Sequence, residues 1–197
     1  MGAFYVSLQV ADTKHELVVQ LVERFRRERD QVAAHIGPQL GKWTAVYPNF
    51  GPQTDKMAAW ISGETGGIVL TLASLDEDSF LCNLCEAGKD HGFFKATVGL
   101  KRSGKQRAPV QKRIDRLADY ANEATRSALV HTLCDLRGFD DSESALVAFC
   151  SAFGISNALS SFDYIEAGDY ALTLDRPGKL HLIQSPTSDL NVTDPPG

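Results

Sequence analysis

The sequence lacks a hydrophobic run long enough to cross a bilayer. A membrane-spanning helix needs about 18 or more consecutive apolar residues, and no stretch of this chain approaches that length. The opening residues Met-Gly-Ala-Phe-Tyr-Val-Ser also lack the basic region and the apolar core of a secretory signal. We therefore expect a cytoplasmic protein with no membrane partner.

Cysteine is scarce, and its spacing argues against metal or redox chemistry. Without an export signal, the four cysteines, Cys82, Cys85, Cys134 and Cys150, are expected to be reduced thiols. Cys82 and Cys85 form the chain's CxxC motif, which can bind a metal or act as a redox pair. Residues three apart in a continuous strand point to opposite faces, so we predict small buried side chains. We predict neither a metal nor a cofactor.

An overall positive charge is also missing. The chain has 20 Lys and Arg against 25 Asp and Glu, a net charge of −5, which argues against a protein that binds duplex nucleic acid through global charge. With 43% hydrophobic and 23% charged residues, the composition is that of an ordinary globular protein.

One segment, between residues 101 and 116, is nevertheless strongly basic. An anion or a nucleic acid could contact its cations, but no aromatic residue between them offers a stacking platform for bases. The preferred interpretation is a solvated connection between two halves of the chain. The candidate contact residues are Lys101, Arg102, Lys105, Arg107, Lys112, Arg113 and Arg116.

The segment from Gly99 to Gln106 has the spacing of a phosphate-binding loop, GxxxxGK. Gln106 stands where such a loop needs a Ser or Thr hydroxyl for Mg²⁺, and Pro109 interrupts the helix that should follow. We therefore do not predict a nucleotide cofactor.

Periodicity in the first hundred residues predicts alternating strands and helices. Thr13 is expected to cap the first helix and Thr54 to begin the second. The order is β-α-β-α-β-β-β, which indicates an α+β fold with a mixed sheet and both helices on one face. The predicted elements are a strand at Ala3–Val10, a helix from Thr13 through Ile36, a strand at Lys42–Tyr47, a helix from Thr54 to about Gly63, and strands at Ile68–Ala73, Ser79–Cys85 and Gly92–Val98.

The second half of the chain is predicted to be mainly helical. Leu172 and Leu174, then Leu180 and Leu182, alternate on either side of a turn signal at 175–178, which predicts a β-hairpin near the end. The predicted organisation is a sheet-based part at 1–100, a basic connection at 101–108, a helical part with the hairpin at 109–184 and a loose tail at 185–197. The two main parts can also form one compact domain.

An acidic triplet, Asp76, Glu77 and Asp78, lies between two predicted strands. It can be interpreted as a cation site or as a source of general acids and bases. A turn is the preferred interpretation, because the segment lacks the central Gly and the final acid of a calcium-binding loop.

These observations favour a non-enzymatic cytosolic protein-binding or regulatory module, and a homo-oligomer is compatible with them. The first alternative is a hydrolase or transferase with a dispersed site near the 68–98 strands, for which the candidate catalytic residues are Asp76, Asp78, His91 and Cys82. The second alternative is a nucleic-acid-associated protein that uses the basic segment at 101–116.

Overall fold

A computed structural model describes residues 5–29, 32–49, 51–75, 78–99, 112, 114–121, 126, 129, 133, 135–168 and 180–184. Its helices are α1 (His15–Glu28), α2 (Gln53–Thr65), α3 (Ser142–Phe153) and α4 (Phe162–Glu166), with further helical backbone at 114–118. Its strands are β1 (Tyr5–Ala11), β2 (Ala34–Leu40), β3 (Trp43–Pro48), β4 (Ile68–Leu75), β5 (Ser79–Glu86), β6 (Lys89–Thr97) and β7 (His181–Ile183).

The strands form one sheet in the order β6-β5-β4-β1-β3-β2-β7. Every described pairing is antiparallel, so the α+β class is confirmed whereas the predicted mixed sheet is wrong. The first six elements run β-α-β-β-α-β with the spatial order β4-β1-β3-β2, which is the split β-α-β connectivity of ferredoxin-like folds. β5 and β6 extend this unit at one edge, and β7 extends it at the other.

The predicted first helix is too long. α1 ends at Glu28, and the residues from Ala34 to Leu40 form β2, a strand that the prediction missed. Ile36 continues the apolar spacing of the helix, but in the structure it lies directly opposite Val46 of β3. The β2–β3 turn contains Gly41 at φ +59, a conformation that glycine adopts without strain.

Neither threonine that was predicted to begin a helix caps one. The hydroxyl of Thr13 donates to the carbonyl of Ala11 at 2.9 Å, and the N-cap of α1 is Lys14. α2 begins earlier than predicted, because its N-cap is Pro52 and Thr54 lies inside the helix.

Both N-terminal helices pack on the same face of the sheet, as predicted. Their apolar side chains, including Phe25 of α1 and Ile61 of α2, form one buried cluster with Leu8 and Val10 of β1 and Cys85 of β5. Burial of this face stabilises the fold by the hydrophobic effect. We call it the α2 face below.

The opposite face of the sheet is covered by the C-terminal helices. Phe149 and Phe153 of α3 pack in one buried cluster with Phe80 and Trp43 of the sheet. Hydrogen bonds reinforce this contact, since Trp43 Nε1 donates to the Phe153 carbonyl at 2.8 Å and Tyr47 Oη donates to the Asn157 carbonyl at 2.7 Å. We call this side of the sheet the α3 face.

The predicted C-terminal hairpin is matched only in its last part. β7 exists and pairs with β2, while the predicted partner strand around Leu172 and Leu174 lies outside the described residues. Within the described part of the chain, no helix is long and apolar enough to cross a membrane. The division of the chain into parts stays a prediction.

Candidate functional site

The β5–β6 hairpin carries polar groups on both of its faces. Its turn contains Ala87 at φ +46 and Gly88 at φ +80. Along β5, Cys82 and Leu84 belong to the core of the α3 face and Cys85 to the core of the α2 face. Side chains alternate along a strand, so Glu86 also lies on the α3 face and Asn83 on the α2 face.

An open, charged cleft of about 550 Å³ lies between the start of β6 and the helical segment 114–118. Charged side chains of both signs line it. We call it the charged cleft, and it is lined by Lys89, Asp90, His91, Lys112, Asp115, Arg116 and Asp119.

Glu86 anchors the hairpin side of the charged cleft. Tyr120 Oη donates a hydrogen bond to Glu86 Oε1, and Arg116 donates one to Glu86 Oε2. His91 Nε2 approaches Glu86 Oε2 to 3.2 Å without an aligned hydrogen bond. The hydrogen bonds from Tyr120 and Arg116 hold the pKa of Glu86 below its usual value.

The pKa of Tyr120 is shifted in the opposite direction. Burial and the hydrogen bond to Glu86 raise the pKa of Tyr120 to about 12, so its hydroxyl remains a donor at neutral pH. The carboxylate of Glu86 is thereby fixed in its ionised form. A group held in this state serves structure and recognition rather than proton transfer near pH 7.

On the α2 face, four side chains from three elements come together, and we call them the Asp55 cluster. The cross-strand pairs are Asn83 with Phe93 and Cys85 with Asp90, so Phe93 and Asp90 stand on the same face as Asn83. Residue 55 lies on the side of α2 that contacts this hairpin. The cluster comprises Asp55, Asn83, Asp90 and Phe93.

A bulge in β6 places Asp90 and Phe93 on the same face of the sheet. The register shifts between Asn83 and Cys85, so that the two residues His91 and Gly92 of β6 lie opposite one residue of β5. Gly92 has φ +81, and its N–H donates to Asp90 Oδ1 at 2.6 Å. Bulges commonly re-aim a side chain at the edge of a sheet.

The Asp55 cluster combines a buried carboxamide with a half-buried carboxyl group. Asn83 is fully buried, at 0% exposure, and its side-chain amide forms a hydrogen bond with Asp55. Burial raises the pKa of Asp55, the hydrogen bond with Asn83 lowers it, and the carboxylate of Asp90 raises it further. The net shift is upward.

The three catalytic candidates that the structure describes lie in separate places. Cys82 is buried in the core of the α3 face, and desolvation raises the pKa of its thiol. Asp78 lies exposed in the β4–β5 turn, and His91 lines the charged cleft. Asp76 lies outside the described residues.

The other described thiols are also protected. Burial, with the charges of Asp90 and Asp55, raises the pKa of Cys85 to about 12, and burial raises that of Cys150. Cys82 and Cys85 lie in different cores, as their spacing predicts. Within the described ranges, no three His, Cys, Asp or Glu side chains are grouped so that they could hold a metal ion.

The predicted basic surface is described only in part. Lys112 and Arg116 line the charged cleft, where Arg116 is paired with Glu86. The remaining candidates lie outside the described residues: Lys101, Arg102, Lys105, Arg107 and Arg113.

Glu86, Asp55, Asn83 and Phe93 were not predicted from the sequence as functional residues. Asn83 offered one signal, since it is a carboxamide within the apolar segment Phe-Leu-Cys-Asn-Leu-Cys. The contact between α2 and the hairpin, which brings Asp55 to Asn83, had no signal in the local pattern. Comparison with protein-family models, with curated proteins and with solved structures finds no match to this chain.

Proposed function

We propose that this chain is a non-enzymatic cytoplasmic protein-binding module that contacts its partner through the β5–β6 edge of the sheet. The observation that carries the proposal is Phe93 of the Asp55 cluster, which is 45% exposed on β6, three residues after Asp90 of the charged cleft. Exposed aromatic residues that are surrounded by polar groups are typical anchors of protein interfaces.

The charges of the charged cleft, at the start of the strand that carries Phe93, support recognition of a protein. Lys89, Asp90 and Lys112 are exposed and place both signs of charge near one another at the charged cleft. These charges would orient a partner that carries a complementary charge pattern. They would repel proteins that place like charges at the same positions. Such a pattern contributes to specificity and to the association rate more than to affinity.

The enzymatic alternative has less support. Its described candidates, Asp78, Cys82 and His91, lie in a turn, a core and the charged cleft respectively. Catalysis requires such groups to meet around a reacting atom. The nucleic-acid alternative is also disfavoured at this surface, because a phosphate backbone would meet Asp90, Asp115 and Asp119 together with the cations of the cleft.

The test compares three single substitutions of equally exposed apolar side chains. Leu17 of α1 is 43% exposed and Leu182 of β7 is 40% exposed, so they match Phe93 in exposure but lie on other elements. The full-length chain and each variant, Phe93→Ala, Leu17→Ala and Leu182→Ala, would be immobilised and exposed to a lysate of the source cell. Captured proteins would be identified and their affinities measured after purification.

We expect one protein to be retained by the unmodified chain and by both leucine variants. Its binding to Phe93→Ala should be at least tenfold weaker. If no protein distinguishes Phe93→Ala from the leucine variants, the proposed contact surface is wrong. Circular dichroism of all four proteins confirms that the comparison is between folded chains.

A further inference from the structure

We propose that the charged cleft binds a carboxylate group, the side chain of an Asp or Glu residue on the partner protein, between Lys89 and Lys112. This inference rests on the proposed function, because it names the chemical group through which the partner engages the cleft. It is carried by two lysines on opposite walls of one cavity, neither of which has an acidic partner in the described part of the chain.

The cavity gives solvent access to both lysines. Lys89 is the first residue of β6, and Lys112 lies just before the helical segment 114–118 that forms the other wall. Both residues are exposed. A volume of about 550 Å³ is typical of a binding cleft and exceeds what one acidic side chain occupies.

The acid closest to Lys89 in the sheet is already engaged. Lys89 stands directly opposite Glu86 in the β5–β6 register, yet the Glu86 carboxylate accepts hydrogen bonds from Arg116 and Tyr120. Among the described residues, the ion pairs of Glu86 are with Arg116 and His91. Lys89 is also absent from the groups that shift the pKa of Glu86, so its charge is not used there.

The acids on the helical wall do not neutralise Lys112 either. Asp119 Oδ1 lies 2.8 Å from Nη2 of Arg126 and forms an ion pair with it. Asp115 has a partner of its own, whereas Lys112 has none in the described ranges. The ammonium group of Lys112 is therefore available to an incoming anion.

The carboxylate of Asp90 acts on the other face of the sheet, although the residue lines the cleft. Asp90 lies opposite Cys85 of the α2 face, and its side chain accepts the N–H of Gly92 at 2.6 Å. Its charge raises the pKa of Asp55 and of Cys85, which places it on the α2 face. The uncompensated charge of the cleft is thus positive, and an anion complements it.

A carboxylate suits this cleft better than a phosphate group. Asp115 and Asp119 remain negative on the helical wall, and their repulsion of a ligand grows with the ligand's charge. A carboxylate carries one negative charge, whereas a phosphorylated side chain carries roughly two at pH 7. Each lysine can donate to one oxygen of a carboxylate, so that the bound group would link the hairpin to the helical segment.

The first experiment needs no partner. The full-length ¹⁵N-labelled chain is titrated with N-acetyl-glutamate N-methylamide at constant ionic strength. The glutamine derivative is a neutral probe of nearly the same shape, and the phosphoserine derivative is a more highly charged anion. The proteins are the unmodified chain, Lys89→Gln, Lys112→Gln and the control Lys56→Gln, whose side chain is exposed on α2.

We expect the glutamate probe to cause saturable chemical-shift changes at the backbone amides of both Lys89 and Lys112. The apparent dissociation constant should rise about threefold to fivefold in Lys89→Gln and in Lys112→Gln, the effect of losing one exposed ion pair, and remain unchanged in Lys56→Gln. Equal shifts with the glutamine probe, or one dissociation constant in all four proteins, would overturn the inference. Tighter binding of the phosphoserine probe would also overturn it. Dispersed spectra show that each variant is folded.

The second experiment uses the partner captured by the unmodified chain. A water-soluble carbodiimide couples a carboxylate to an amine in contact with it, and mass spectrometry locates the new amide bond. We expect a bond from an Asp or Glu of the partner to Lys89 or Lys112 and none to Lys56. The double variant Lys89→Gln/Lys112→Gln should bind the partner about tenfold more weakly, and this difference should shrink as the salt concentration rises.

The outcomes separate this inference from the proposed function. A partner that binds the double variant as tightly as the unmodified chain, but binds Phe93→Ala weakly, overturns the inference and leaves the proposed function standing. If no partner is captured while the glutamate probe still binds, the proposed function fails and the charged cleft is a site for a free carboxylate compound.

Discussion

Gly63 of α2 lies so close to Gly88 of the β5–β6 turn that a Cβ atom at Gly63 would stand 3.3 Å from the Gly88 Cα atom. The neighbouring Ser62 accepts a hydrogen bond from the Gly88 N–H at 2.9 Å. These contacts fix the height of α2 above the hairpin. Because residues four apart lie on one side of a helix, they also place Asp55 on the same side, toward Asn83.

Replacing Gly88 by Ala should loosen this contact. Gly88 has φ +80, and a Cβ there would lie 3.2 Å from the Gly63 Cα atom. We expect Gly88→Ala to lower the free energy of unfolding by about 1–3 kcal/mol, through backbone strain and the close approach together. Denaturation by guanidinium chloride measures this change in the free energy of unfolding.

Gly66→Ala is the matched control. Gly66 has φ +67 but nothing within 4 Å of an added Cβ, so its loss of stability reports backbone strain alone. Gly88→Ala should be the more destabilising of the two. Equal losses would mean that the contact between α2 and the turn contributes nothing measurable.

The stability contributed by Glu86 should depend on pH. Its pKa is lowered in the folded protein by Tyr120 and Arg116, so the contribution is present above the unfolded value of about 4.3 and is lost as the pH falls through the folded value. We expect Glu86→Gln to lower the free energy of unfolding by about 1 kcal/mol at pH 7. Urea titrations at several pH values should show this difference shrinking progressively as the pH falls below the unfolded value of about 4.3.

A difference that persists unchanged at low pH would show that the substitution acts through packing. The appropriate control is Glu64→Gln, since Glu64 pairs with Arg24 on α1, away from the charged cleft, and its side chain is 39% exposed. An exposed pair of this kind contributes about 0–1 kcal/mol, so the control should have the smaller effect.

Asp55→Asn should stabilise the protein at neutral pH. The pKa of Asp55 is raised by burial and by Asp90, so ionisation is more difficult in the folded state and stability falls as the pH rises through the unfolded value toward the folded one. Removing the charge should therefore raise the melting temperature at pH 7. The gain should shrink at acid pH, where Asp55 is protonated in both states.

Scanning calorimetry of Asp55→Asn and Asp78→Asn across this pH range measures the effect. The exposed Asp78 should show little pH-dependent difference from the unmodified chain. A melting temperature that is lower in Asp55→Asn at pH 7 would show that the carboxylate has a stabilising partner in the folded protein.

The described thiols should be unreactive in the native state. Cys82, Cys85 and Cys150 are buried, and burial raises the pKa of each, so little thiolate is available. In a Cys134→Ser variant, we expect a thiol-reactive disulfide reagent to label none of the three over an hour at pH 8. In denaturant it should label all three, and rapid native labelling would contradict the buried assignment.

Local patterns predicted the strands better than the boundaries between elements. The alternation in β1 and the three-residue spacing of the cysteines in β5 follow directly from strand geometry. The structure places Leu8 and Val10 in one core and separates Cys82 from Cys85, although β1 is buried on both faces and not on one alone. The predicted helix ran through Ile36 because residues four apart lie on one side of a helix and also on one face of a strand. Spacing alone therefore does not distinguish the two. The pairing with β3, which decides between the two, is a tertiary contact.

The candidate site was less predictable for the same reason. His91, Lys112 and Arg116 were singled out from the sequence, and the structure brings them to the charged cleft. Asp55 was not, because its environment depends on how α2 docks against β5 and β6. The role of Glu86 could not be predicted, because its partner Arg116 comes from the helical segment 114–118, which is distant in sequence.

The bulge in β6 shifts the alternation of side chains along the strand by one residue. Cys82 and Cys85 are three residues apart in β5 and lie in different cores, whereas Asp90 and Phe93 are also three apart and share a face. The extra residue converts an odd spacing into an even one. A chain without Gly92 would regain strict alternation, and either Asp90 or Phe93 would turn toward the α3 face, so that one backbone position determines whether the acid and the aromatic ring can act together.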